Sequence, residues 1–199
     1  PSAVRDYVAL EAKLQRDLVD GWSLLATYTL ARLEGSLDEV FDSSLDNPTQ
    51  RPFEYGYLAD DVRHVGRLSG TYELPLGISL GATGSYQTGR PYDRFYWNPV
   101  VEGYVDRRAP RGFDAGASLD GSEADRELRL PDQFSLDARG LWDLASLTSQ
   151  KIELMVDVFN VLNARPVTRV EQRNLEGRFG EPLSTAGPFT AQLGLRYRF

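Results

Sequence analysis

The sequence predicts an all-β protein, an antiparallel up-and-down segment of a transmembrane β-barrel. Three observations carry that prediction. Seven segments alternate apolar and polar residues with period two, the connections between them alternate short and long, and aromatics on the apolar faces gather at segment ends.

The strands fall near 5–17, 22–34, 62–74, 78–89, 133–142, 151–160 and 188–199. In the first, Val8, Leu10, Ala12 and Leu14 oppose Glu11, Lys13 and Gln15. The second shows Trp22, Leu24, Ala26, Tyr28 and Leu30 on one face. In the third, Leu68, Gly70, Tyr72 and Leu74 oppose Arg67, Ser69, Thr71 and Glu73. The fourth groups Ile78, Leu80, Ala82, Gly84 and Tyr86, and the fifth sets Phe134, Leu136, Ala138 and Trp142 against Ser135, Asp137 and Arg139. The sixth sets Ile152, Leu154, Val156 and Val158 against Glu153 and Asp157. The last carries Phe189, Ala191, Leu193, Leu195, Tyr197 and Phe199 on one face, with Arg196 and Arg198 on the other.

Short turns lie near 17–21, 75–77 and 143–150, and long connections cover roughly 35–61, 90–132 and 161–188. Such long connections are uncommon in compact soluble domains. A transmembrane barrel requires them, with short periplasmic turns and long extracellular loops. In that frame Trp22, Tyr72, Trp142, Tyr197 and Phe199 sit at the short-turn ends, and Tyr86, Phe134 and Phe189 at the long-loop ends. Two aromatic girdles flanking aliphatic and small residues suit the two membrane interfaces. A soluble β-sandwich, as a ligand- or carbohydrate-binding module, also alternates, but gives no reason for aromatics to sort by strand end.

Composition narrows the function. The 199 residues carry a net charge of −7 and no basic block, which argues against nucleic-acid binding. There is no cysteine, hence no disulfide or thiol chemistry. No apolar run is long enough for a membrane helix. The chain opens at Pro1 with no visible signal peptide and reads as a piece of a longer protein. Seven strands lead to the same expectation, because single-chain bacterial barrels have even strand numbers and must close. A small stand-alone outer-membrane barrel with one more strand is the alternative.

Four stretches resemble the TonB-dependent outer-membrane receptors. "VDVFNVLNAR" at 156–165 is similar to their penultimate-strand motif, here Phe159, Asn160 and Asn163. "GTYELPLGISLGATGSYQTGRPY" at 70–92 resembles a hairpin with a Pro-x-Gly turn and a Gly-x-Pro-Tyr loop start. "LPDQFSLDAR" at 130–139 and the final "LGLRYRF" complete the set. The resemblance implies the last seven strands of a 22-stranded barrel in the outer membrane. It implies import of a scarce large solute (a siderophore, cobalamin, oligosaccharide or peptide), energised through TonB acting on an N-terminal plug. The implied partners are outer-membrane lipid, the remaining strands and plug, the TonB system and the outer-membrane insertion machinery, the last reading Tyr197 and Phe199. No plug or TonB box stands in this sequence. The loop pattern is closest to receptors with an N-terminal carboxypeptidase-regulatory-like domain. The resemblance implies no cofactor.

Each candidate residue also has a plain structural role. Tyr92, Phe95, Tyr96 and Trp97 cluster in one long loop, where rings could stack on a ligand or pack the loop on the barrel rim. Inward Arg67, Glu73, Asp137, Arg139, Glu153, Asp157, Arg196 and Arg198 could face a plug, or pair across strands within the wall. Asn160 and Asn163 suit a strand-to-loop transition. The acidic stretch 114–125 lacks EF-hand spacing, so no metal is expected. His64 stands alone at a membrane border and no HExxH, GxSxG or Walker pattern occurs, which argues against an outer-membrane enzyme.

Overall fold

The structure is a computed structural model that describes residues 4–36, 51–114, 126–148 and 150–198. Seven long strands form its frame: β1 (Arg5–Val19), β2 (Trp22–Gly35), β3 (His64–Leu74), β4 (Ile78–Gln87), β5 (Gln133–Asp143), β6 (Lys151–Phe159) and β7 (Thr190–Arg198). Each pairs antiparallel with the next, so one sheet runs in chain order from β1 to β7. A two-residue strand, Gly56–Tyr57, adds beside the end of β2. Among the described residues the sheet does not close.

The turns explain where strands stop. Asp20 and Gly21 both have positive φ, 53° and 80°. That is the type I′ pair whose twist matches a hairpin, so β1 runs on to Val19, which faces Trp22. Between β3 and β4, Leu76 and Gly77 turn the chain at φ 67° and 74°, and the Leu76 carbonyl accepts the Trp142 indole N–H at 3.2 Å. A short helix, Ala145–Thr148, makes the third turn. At the other end, strand pairing yields to loop contacts. β4 stops at Gln87 because the chain then passes Leu130 so closely that a Cβ on Gly89 would lie 1.6 Å from its carbonyl oxygen. β6 stops at Phe159 because Asn160 turns left-handed, with φ 51°.

The register brings every apolar face onto one side. Trp22 lies beside Tyr72, and Tyr72 beside Leu80, Gly140, Val156 and Leu193 in succession. Leu24, Gly70, Ala82, Ala138, Val158 and Ala191 form the next row, and Tyr28, Gly66, Tyr86 and Phe134 a row nearer the long loops. The opposite side carries Thr27, Arg67, Ser85 and Ser135 in one row and Ser23, Thr71, Gly81, Arg139, Asp157 and Gln192 in another.

Among the described residues no second sheet packs on this one. Leu193 is 86% exposed, and Val8, Leu10 and Leu195 are exposed as well. A β-sandwich buries one face of each sheet against the other, and that arrangement is absent among the described residues. Among the described residues the buried apolar side chains are Leu33, Leu58, Ala109, Leu128 and Val170, all at the long-loop end. The compact core of this chain is therefore a loop layer resting on the rim of the wall. The stretches expected as long loops contain structure of their own. Three small hairpins pair Tyr96–Asn98 with Gly103–Asp106, Phe113–Asp114 with Arg126–Glu127, and Val167–Val170 with Pro182–Thr185.

Candidate functional site: the loop layer and the inward wall

The loop layer is held by buried charge. Asp61, 1% exposed, accepts the Leu33 backbone N–H at 2.7 Å and pairs with the Arg129 guanidinium. Arg129 also donates to the carbonyls of Asp61 and Gly89, each at 3.0 Å, and pairs with Glu127. Burial works against that charge, but hydrogen bonds from Asp61 and Glu127 outweigh it and raise the Arg129 pKa. Glu127 in turn holds Arg63 at 2.8 Å. Beside them the Tyr57 ring stacks on Phe113 with centroids 5.3 Å apart, and the Arg63 and Arg129 guanidinium carbons lie 4.7 and 5.1 Å from its centroid.

A second set of contacts joins the loop of residues 88–114 to that of residues 160–189. Phe95 donates its N–H to the Gln172 carbonyl at 2.9 Å, and its own carbonyl accepts from Asn174 at 2.7 Å. Asp93 accepts Gly112 N–H and Arg107 Nε, both at 2.8 Å, while its own N–H donates to Gln172 Oε1. Arg94 makes a two-pronged contact with Asp114 at 3.0 and 3.1 Å.

The clustered rings divide between these tasks. Tyr92 packs against Phe179, with centroids 6.0 Å apart, and Arg107 lies 4.9 Å over the Phe95 ring. Tyr96 is half-buried, with Arg108 at 4.1 Å over its face. Trp97 is 51% exposed and meets Tyr104 edge-on across its hairpin. Asn98 fixes that hairpin's tip, accepting the Val100 N–H at 2.8 Å and donating to Asp106 at 2.9 Å. Tyr92 and Phe95 thus make contacts within the loop layer, Tyr96 is half-buried beneath Arg108, and Trp97 alone of the four is exposed.

Glu171 is buried and receives the Arg173 guanidinium at 2.8 and 2.5 Å and the Arg173 backbone N–H at 3.0 Å. These bonds lower its pKa to about 2. A depressed carboxylate pKa stabilises the fold above the ordinary value of 4.5, and that contribution fades as pH falls from there to about 2. The protection factor of the Arg173 amide, its exchange rate relative to an unstructured peptide at the same pH, should therefore stay high at pH 5 and fall between pH 4 and pH 2, whereas in a Glu171→Gln variant it should be low at neutral pH already.

Asn160 and Asn163 both have positive φ, 51° and 49°. Asn160 donates to the carbonyls of Ala164 at 2.9 Å and Gly187 at 2.8 Å, accepts Ala164 N–H at 2.9 Å, and gives its own N–H to Asp137 at 2.8 Å. Asn163 accepts the Phe189 N–H at 3.0 Å. The pair ties the end of β6 to β5 and to the start of β7. Asn160→Ala should cost about 2 kcal/mol, from three lost side-chain bonds and a left-handed backbone that alanine disfavours. Faster proteolysis between residues 163 and 189 of the folded protein would report it.

On the inward wall, Arg139 bonds Asp157, its register partner, at 2.5 and 3.1 Å, and Glu153 holds both Arg196 and Arg198 at 3.0 Å. Arg67 and Glu73 make no ion pair among the described residues. On the outward wall, Tyr28 was absent from the expected girdle, although the register places it in the row of Tyr86 and Phe134. Its hydroxyl shares a 2.7 Å hydrogen bond with His64 Nδ1. Its distance along β2 from Trp22 was the available signal. Tyr197 donates to Gln150 Oε1 at 3.2 Å. Phe199 and most of the acidic stretch, 115–125, lie outside the described residues. Among the described residues no cluster of His, Cys, Asp or Glu is arranged to hold a metal.

A single-layer meander that shows one continuous apolar face, a charged opposite face and structured loops at one end defines a section of transmembrane barrel wall. Comparisons with known proteins agree. Residues 1–88 match the family described as outer membrane beta barrel domain. No curated protein matches the chain. Among solved structures, the Pseudomonas aeruginosa receptor FpvA, determined with pyoverdine and iron, is 14% identical, with 97% of this chain and 19% of that chain aligned at a TM-score of 0.57. The ferric-catecholate import receptor Fiu of Escherichia coli K12 is 14% identical over 99% of this chain and 21% of its own, with a TM-score of 0.59. The ferric citrate transporter FecA is 15% identical over 97% and 24%, with a TM-score of 0.55. The chain spans about a fifth to a quarter of the length of these structures. Over nearly its whole length the chain has the fold of an outer-membrane β-barrel wall of the TonB-dependent receptor kind.

Proposed function

We propose that this chain serves in a TonB-dependent receptor that imports a scarce large solute, with ferric chelates the first class to test. The observation that carries this reading is the alignment of nearly the whole chain, wall and loops together, on three iron-chelate receptors and transporters. In this reading the outward aromatics Trp22, Tyr72, Trp142, Tyr86, Phe134 and Phe189, with Tyr28 added, mark the two membrane interfaces. Inward Arg67 and Glu73 are two of the wall charges that could meet a plug. This reading assigns solute contact to the exposed Trp97, with Tyr96 and the Arg108 cation over its ring beside it. Tyr197 and Phe199 provide the insertion signal, and TonB acts through a plug contributed by the rest of the receptor.

The test is accumulation by cells expressing the complete protein. Iron-55 chelates of catecholate, hydroxamate and citrate type, labelled cyanocobalamin and a maltodextrin would be offered with TonB present or deleted. Uptake of one of them only when TonB is present supports the reading. Equal uptake in both strains would make the barrel a passive pore and end it.

A further inference from the structure

The outward face of the wall is not uniformly studded with side chains. A trough of ≈ 870 Å³ crosses β2 to β5, floored by Gly66, Gly70, Ala82 and Gly84. Aromatic rings stand at both ends, Trp22 and Tyr72 toward the short turns and Tyr86 and Phe134 toward the long loops. All four strands are hydrogen-bonded on both edges. The trough therefore persists whatever strands adjoin β1 and β7.

Nothing among the described residues requires two of these glycines. Neither Gly66 nor Gly84 has a positive φ, a Cβ on Gly66 would meet no atom within 4 Å, and one on Gly84 would meet only carbonyl oxygens at 4.0 Å. Glycine inside a strand costs stability, and it marks a bulge, a tight bend of a barrel wall or the close approach of another group. No bulge interrupts the register here. Of these uses, the close approach of another group is the one that an open trough between aromatic rings suits.

The mouth of the trough has a defined width. Gly66 sits directly between Tyr28 and Tyr86 in its row. Those two strands lie roughly 10 Å apart, so the rings frame a slot about one hydrocarbon chain wide. Both rings are tethered: Tyr28 bonds His64, and Tyr86 donates to Asp132 at 2.6 Å. The row lies at the long-loop end, which is the outer-leaflet side of an outer-membrane barrel.

We propose that this trough binds an acyl chain of an outer-leaflet lipid, entering through the slot at Gly66 and lying over Gly84 and Gly70. The location in the outer membrane sets the occupant. The face is bathed in lipid, and a flexible chain reaches a floor recessed between rings. The convex outward face of a second barrel would rest on those rings without filling the slot.

The experiment uses the complete receptor, purified from outer membranes, delipidated in detergent and titrated with dimyristoyl phosphatidylethanolamine under native mass spectrometry. Gly66→Leu/Gly84→Leu fills the slot with side chains that lipid tolerates, and heat-dependent migration on gels verifies folding. Ala191→Leu, on the same face outside the trough, is the control. The wild type and Ala191→Leu should each retain one saturable lipid, and the double variant should bind it about tenfold more weakly. Equal lipid retention by the wild type and the double variant overturns the proposal. So does a dimer present in the wild type and lost in the double variant, which would assign the trough to a second copy.

Discussion

Asp61→Ala should be the most damaging single substitution in the loop layer, costing about 3 kcal/mol. It removes at once the acceptor of the Leu33 N–H and one of the two carboxylate partners of Arg129. Breaking a buried pair from one side leaves the other charge stranded, which is the expensive case. Arg129 retains Glu127, so the cost falls at the low end of the usual range for such a break. The effect should be local. The wall strands keep their own hydrogen bonds, while exchange protection disappears at Leu33, at Leu128, which donates to the Gly112 carbonyl, and at Leu130, which donates to that of Arg90. Asp61→Asn separates shape from charge, because it preserves an acceptor for Leu33 but not the ion pair. Retention of normal loop protection in Asp61→Ala would show that apolar packing around Leu58 and Leu128 suffices to hold the layer.

The contrast between wall and loops explains what the sequence revealed. Each strand announces its outward face through its own alternation, so Leu24, Leu68 and Leu136 could be sorted without knowledge of any partner. Turn length then helps set the register between neighbours: the Asp20–Gly21 turn leaves Val19 opposite Trp22, and after one register shift between Arg16 and Val19 the rows run unbroken from Arg16–Leu24 to Arg5–Gly35. The loop layer carries no comparable local mark. Asp61 and Arg129 stand 68 residues apart, and Arg94 and Asn174 stand 80 apart. Nothing in either neighbourhood predicts the other. The hairpin that displays Trp97 did leave a trace, since apolar and aromatic residues flank the turn-forming Asn98–Pro99 and Gly103. Tyr28 was legible by face but not by height, because height depends on pairing with Gly66. The trough needs both kinds of knowledge, as its glycines come together only in register.

The two faces also predict the sharpest contrast in the molecule, between adjacent residues on one strand. Ala82 faces outward in the row of Gly70 and Ala138, between the two aromatic ends, and Thr83 faces inward beside Ser69 and Asp137. Ala82→Arg would set a guanidinium into hydrocarbon at a cost of about 2–4 kcal/mol, the penalty for a cation near the middle of a barrel's lipid face. Thr83→Arg places the same group on the polar side, with the Asp137 carboxylate available, and should change stability by no more than ~0.5 kcal/mol. Urea titrations of the two variants of the complete barrel in phospholipid vesicles, followed by heat-dependent migration, measure the difference. A large shift for Ala82→Arg alone fixes which side of the sheet meets lipid. Equal shifts would mean that the lipid side had been misassigned, because two surfaces equally wet or equally dry cannot tell one arginine from the other.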